Sequence, residues 1–138
     1  MSLVSIPVSI GELIDKLVIL EIKADRIREP AKLQHINHEL DLLTNTWLTS
    51  GQAGAEIGAQ REALKAVNEA LWDIEDQIRQ KEADAEFDQK FIELARAIYI
   101  NNDRRSALKR EINRLLGSEL VEEKSYPAYA PATGEGIP

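Results

Sequence analysis

The 138-residue chain contains no cysteine. That absence removes the disulfide, the thiolate metal site and the cysteine nucleophile together, and it points to an intracellular, cytoplasmic protein. Aromatic residues are scarce, with two Trp, three Tyr and two Phe, which speaks against a sandwich or barrel of aromatic-rich strands. Long apolar runs are missing as well. The longest, Leu17 to Leu20, falls far short of the about 20 residues that a membrane-spanning helix needs. No basic segment followed by an apolar run opens the sequence, so neither secretion nor membrane insertion is expected. Positive charge is in deficit, and a net charge of -7 opposes generic binding to nucleic acid. There is no glycine-rich phosphate loop after a strand and no G-x-S-x-G turn, which leaves nucleotide-binding and serine-hydrolase readings without an anchor.

What is present is helical rhythm. Ser9, with Glu12 three residues on, has the spacing of a capping box, so a first helix begins near Ile10. Ile10, Leu13, Leu17, Leu20, Ala24 and Ile27 recur three and four apart, and Val18, Ile19 and Ile22 widen the stripe until the helix reads as centrally buried. Pro30 cannot continue that helix but suits the first position of another. The second helix carries Leu33, Ile36, Leu40, Leu43 and Trp47 and ends in the glycine-bearing "TSGQAG". A third runs from about Glu56 to Lys81, marked by Ile57, Leu64, Val67, Leu71, Ile74 and Ile78. A short link, "ADAE", leads to a fourth that carries Phe87, Phe91, Leu94, Ile98, Leu108, Ile112 and Leu115 and stops at Gly117.

The expected fold is an all-α, four-helix antiparallel bundle over residues 1–117, with a long hairpin from the third and fourth helices. A short turn and an extended or mobile tail follow over 118–138. The two long helices span roughly 40 Å each and the two short ones about 28 Å. The hairpin tip must therefore project or be covered by a second chain, and Phe87 with Phe91 at that end favours a homodimer.

One stretch breaks the rhythm. In "YINNDRRSALKREIN", residues 99–113, Asn101 and Arg105 occupy positions that should be apolar before Leu108 restores the pattern. If the hairpin turns near residues 83–85, Asn68 lies level with Asn101, and the break becomes an internal polar layer. Arg105 then needs a carboxylate, with Glu12, Asp15, Asp73, Glu75 and Asp76 as candidates. On the third helix Asn68, Trp72, Glu75 and Arg79 share one strip. Two readings use the same residues. In one, the polar groups fix helix register. In the other, Asn68, Arg79, Asn102, Arg105 and Lys109 receive an anionic small molecule between the helices.

Other patterns are weaker. "HINHE" sets His35 and His38 a turn apart but lacks the H-E-x-x-H order of a zinc protease and reads as a solvated face. Glu12/Asp15 and Asp73/Asp76 have the spacing by which helical, magnesium-dependent nucleotide hydrolases gather metal, although 24 acidic residues produce such pairs by chance. "DRRSALKRE" is locally basic without interleaved aromatics, and pairing with the acidic third helix accounts for it.

Four blocks, "VSIGELIDKLVILEIK", "LKAVNEALWDIEDQIR", "NNDRRSALKREIN" and "GSELVEEKSY", resemble an uncharacterised bacterial domain-of-unknown-function family over most of residues 5–126. The resemblance implies a small helical bacterial protein of a kind met beside genes for cell-surface polysaccharide and glycosyltransferase work, with no established activity. It falls on Glu12, Asp15, Lys16, Asn68, Trp72, Glu75, Arg79, Asn102, Asp103, Arg105 and Lys109, without assigning any of them a role.

Function is thus open between three classes. The first is a dimeric cytoplasmic binding or accessory protein, with ligand-binding candidates Asn68, Trp72, Glu75, Arg79, Asn101, Asn102, Arg105 and Lys109, supporting carboxylates Glu12 and Asp15, no resident metal and no identified cofactor. The second is an enzyme acting on a phosphorylated or carboxylated small molecule, and the third a purely structural helical adaptor.

Overall fold

In the computed structural model, which describes residues 2–129, Ser9 opens the first helix through its own chemistry. Its backbone is extended and its Oγ accepts the N–H of Glu12 at 3.1 Å, satisfying a donor that the helix leaves free. The capping box is only half formed, because the Glu12 carboxylate turns outward to Lys109 and Lys16. This helix, α1, spans Ile10–Arg26. It stops ahead of Pro30, which occupies the start of α2 (Pro30–Leu48), where a missing N–H costs nothing.

Residues 49–57 cross to α3 (Gly58–Ala83). That helix begins two residues later than the apolar rhythm implies, because Ile57 turns inward from the loop and is buried in the core. The hairpin turn is closed by Ala85 in the left-handed region (φ 52°) and by the Glu86 N–H donating to the Lys81 carbonyl. Asp88 then caps α4 (Gln89–Leu115), its carboxylate accepting the Phe91 N–H at 3.0 Å. Among the described residues the chain is an all-α bundle of these four helices with no strand.

Helix α1 is the centre of the arrangement. It packs against α2, α3 and α4, whereas α2 meets only α1, and α3 and α4 form an antiparallel hairpin. Leu13, Ile14, Leu17 and Val18 of α1 are buried together with Trp47, Ile57, Leu64 and Ile112, each burial contributing on the order of 1.5–3 kcal/mol. The broad apolar stripe of α1 therefore has three neighbours to fill. Around this core, Glu21 pairs with Arg61 and Lys65, and Arg26 pairs with Asp73 at 2.6 Å and Glu69 at 3.7 Å. These pairs are partly exposed and orient α1 on α3 more than they stabilise it.

The distal hairpin stands clear of α1 and α2. Residues 82–90 are exposed, and the rings of Phe87 and Phe91 meet edge to face with centroids 5.2 Å apart. At the other end Gly117 (φ 61°) stops α4, and residues 118–129, without regular structure, run back along it. Glu122 reaches Lys109, Glu123 reaches Arg110, and Tyr129 packs on Tyr99. The rest of the tail expected to be extended or mobile, 130–138, lies outside the described residues.

The first turn of α1 approaches α4 so closely that only glycine fits at position 11. A Cβ there would collide with the carbonyl oxygen of Lys109 and come within 2.9 Å of Asn113 Oδ1. In its absence the Gly11 N–H donates to Asn113 Oδ1 at 2.6 Å, and the Ile10 N–H donates to Ser118 Oγ at 3.1 Å. Gly11→Ala should lower stability by about 1–3 kcal/mol, as overpacking does. Gly58→Ala, where nothing lies within 4 Å, should be neutral or stabilising by up to about 1 kcal/mol. Urea unfolding of the two variants checks both, and equal midpoints would contradict the close approach.

Candidate functional site

Asp15 lies on the side of α1 that faces α3 and α4, and it is fully buried. A carboxylate there must be paired and hydrogen-bonded to be tolerated. Arg105 of α4 meets it side on. Nε donates to Oδ1 and Oδ2 at 3.1 and 3.0 Å, and Nη2 donates to Oδ2, the charge-assisted fork that suits a carboxylate best. From α3, Asn68 Nδ2 donates to Asp15 Oδ1 at 2.9 Å and to the Leu64 carbonyl of its own helix. One carboxylate thus ties three helices together.

Lys109, one turn beyond Arg105, completes the centre. Its ammonium lies 2.6 Å from Glu12 Oε2, 3.0 Å from Glu122 Oε1 and 3.8 Å from Asp15 Oδ2, with a side chain only 8% exposed. Burial alone would lower its pKa, but the hydrogen bonds to Glu12 and Glu122 more than reverse that and hold it above the usual lysine value. The hydrogen bond to Asp15 likewise raises Arg105. In return the Lys109 ammonium holds the Glu122 carboxyl below the usual glutamate value. No buried side-chain polar atom among the described residues lacks a partner, so the centre is closed upon itself.

Above it lies an open cleft of about 820 Å³. Glu12, Arg105 and Lys109 form its floor, while Asn102, Asp103 and Ser106 line the α4 side. Tyr99, also on α4, lies at one end, and the returning tail, with Glu122, Lys124, Tyr126 and Tyr129, forms the far wall. Tyr99 and Tyr129 pack with ring centroids 4.8 Å apart. Partial desolvation, and after it the neighbouring Asp103 carboxylate, raise the pKa of the Tyr129 phenol. Arg105 is 31% exposed in its side chain, and its Nη1 has no protein partner among the described residues, nor do the Asn102 amide and the Ser106 hydroxyl. These unused groups face one cavity from consecutive turns of a single helix.

The residues singled out from sequence divide into three groups. Asp15, Asn68, Arg105, Lys109 and Glu12 come together in the ionic centre, and of the carboxylates proposed for Arg105, Asp15 is the one used. Asn102 and Asp103 join Glu12, Arg105 and Lys109 in lining the cleft. The others lie elsewhere. The partner of Asn68 is Asp15, whereas Asn101 donates to the Ala97 carbonyl of its own helix at 2.8 Å. Trp72 lies beneath Arg26, whose guanidinium is 5.6 Å from its ring centroid. Glu75 and Arg79 pair along exposed α3.

His35 and His38 are exposed on α2, and no group of three His, Cys, Asp or Glu side chains able to hold a metal occurs among the described residues. Glu12 and Asp15, which have metal-gathering spacing, are engaged by Lys109 and Arg105. Sequence reasoning missed Gly11, Asn113, Ser118, Glu122 and the three tyrosines. A lone glycine inside a helical pattern was a signal for the first. Glu122 and Tyr126 lie in the "GSELVEEKSY" block, to which no local pattern gave a role.

Fold and site together define a small all-helical protein built on a buried ionic centre beneath a mixed-charge, tyrosine-walled cleft. The chain belongs to a family of unknown function, DUF6165, whose model matches residues 4–134. No curated protein and no solved structure matches it, and no helix among the described residues is long and apolar enough to cross a membrane.

Removing Arg105 strands a buried carboxylate. Arg105→Leu should cost about 3 kcal/mol, the low end for a broken buried pair because Lys109 and Asn68 remain beside Asp15. Asp15→Leu combined with Arg105→Leu should recover part of that loss in chemical denaturation. A double variant no better than the single would refute the pairing as the source of the cost.

The ion pair of Glu122 also sets a pH dependence. With a depressed folded value, its contribution is present above the usual glutamate pKa and disappears as pH falls through the folded value. The difference in Tm between wild type and Glu122→Gln should therefore close on acidification. A difference that persists unchanged into acid would show that the charge is not its origin.

Proposed function

We propose that this chain is a bacterial cytoplasmic binding or accessory protein whose cleft receives an anionic small molecule carrying a ring. The observation that supports this reading is the set of donors left unused on one face of α4, Asn102, Arg105 Nη1 and Ser106, opposite tyrosine faces of the tail. An arginine already gripped by a buried carboxylate is pre-oriented, so a phosphate or carboxylate meeting its outer edge need not pay to order it. Tyrosine offers an apolar face with a polar rim, suited to a sugar or heterocycle. The surface-polysaccharide setting that the resemblance implies makes phosphorylated sugars the first class to test.

A ligand that binds only the folded chain must raise its stability, by about 2.7 kcal/mol at a hundred times Kd. A thermal-shift panel of inorganic phosphate, a sugar phosphate, a sugar nucleotide and a neutral sugar should show a rise with the anionic compounds and little with the neutral one. The Asn102→Ala/Ser106→Ala double variant should keep the unliganded Tm and lose the rise. Glu122→Gln should strengthen binding, since Glu122 competes with the ligand for cationic charge. No rise with any anion would favour a purely structural adaptor instead.

A further inference from the structure

The segment ahead of α1 is exposed and apolar. Residues 2–8 form neither helix nor strand, and none of their backbone groups hydrogen-bonds to another of the described residues. Apart from Ser2 and Ser5 their side chains are nevertheless apolar: Leu3, Val4 and Ile6 are 78%, 88% and 70% exposed, and Val8 is 37% exposed. Ile10 is bonded to Ser118, so the segment emerges beside the turn that ends α4. Leu115, Leu120 and Val121 are exposed on that turn and the residues around it.

The order of residues selects the occupant. In an extended strand, alternate residues direct their backbone N–H and C=O to opposite edges and their side chains to opposite faces. Leu3, Ser5 and Pro7 share one edge, which Pro7 spoils because it has no N–H. Val4, Ile6 and Val8 share the other edge, which is complete, and they share one face. Among the described residues the chain has no strand to offer that edge. A second copy offers the same one.

We infer that two copies of this chain pair antiparallel through residues 4–8, with Ile6 opposite Ile6 about a two-fold axis and Val4 opposite Val8. In this register every paired N–H belongs to a β-branched residue, the class that favours strands, and Pro7 falls opposite Ser5 at a position that needs no hydrogen bond. The apolar face of the ribbon lies over Leu120 and Val121. A two-stranded ribbon alone is marginal in water, and this cover is what sustains it. The hairpin tip is a poorer surface for self-association, since Phe87 and Ile92 are separated by Asp88 and Lys90 and flanked by Glu86 and Glu93. The dimer is independent of the cleft and of any ligand bound there.

The cysteine-free chain makes a clean test. A hydrogen-bonded antiparallel pair has its Cα atoms about 5.5 Å apart, within disulfide range. Full-length Ile6→Cys should therefore oxidise to a covalent dimer, whereas Val4→Cys, which faces Val8, should link far more slowly. In sedimentation equilibrium the wild type should be dimeric, with Ile6→Pro weakening association by about tenfold or more and Ser5→Pro leaving it intact. All these side chains are exposed, so unchanged circular dichroism confirms that the variants fold. A monomeric wild type, or equal cross-linking at positions 4 and 6, would overturn the proposal. The first of these results would instead fit an arm that serves the sheet edge of a different protein.

Discussion

The structure depends on one charge placed where water cannot reach it. Asp15 is fully buried, and a lone carboxylate there would be intolerable. Its presence dictates what must surround it: a guanidinium from α4, an amide from α3 and an ammonium within 3.8 Å. Each of those side chains can reach Asp15 in only one relative placement of the helices. Apolar packing among α1, α3 and α4 would tolerate sliding and rotation, and the carboxylate does not.

Such a centre is a poor source of net stability, because desolvating its charges cancels most of their attraction. Stability comes from Ile14, Leu17, Val18, Leu64, Trp47 and Ile112. The ionic groups contribute discrimination between the native arrangement and its neighbours, and Gly11 lets the backbones approach closely enough for the ion pairs to form. Register-fixing and ligand-binding therefore need not compete for the same residues. Asp15 and Asn68 face inward and are spent on structure, while Arg105 has one edge on Asp15 and the other on the cleft.

Much of the fold was legible in the sequence because it is local. Three-four spacing marked all four helices, Ser9 and Pro30 marked two starts, and the breadth of the α1 stripe foretold its central place. The polar break was legible as a break, and the demand of Arg105 for a carboxylate followed from its apolar phase. Choosing Asp15 over Glu12, Asp73, Glu75 or Asp76 was not possible, since it depends on how α1 crosses the hairpin. Level pairing across the hairpin suggested Asn101 as a neighbour of Asn68, but the partner came from a third helix. The cleft was hidden for the same reason: its far wall is a tail without periodicity, whose position is set by Lys109, Arg110 and Tyr99 far back in the chain.

The bonds of the centre join distant parts of the chain, Asp15 to Arg105 across 90 positions and Ile10 to Ser118 across 108. On the ribosome, then, Asp15 emerges long before any cation able to neutralise it. The α3–α4 hairpin is local and can form as it appears, whereas α1 must wait for the last turns of α4 before its buried face becomes tolerable. Until that moment the side of α1 that meets α4 stays uncovered, and the nascent chain presents it to the cell.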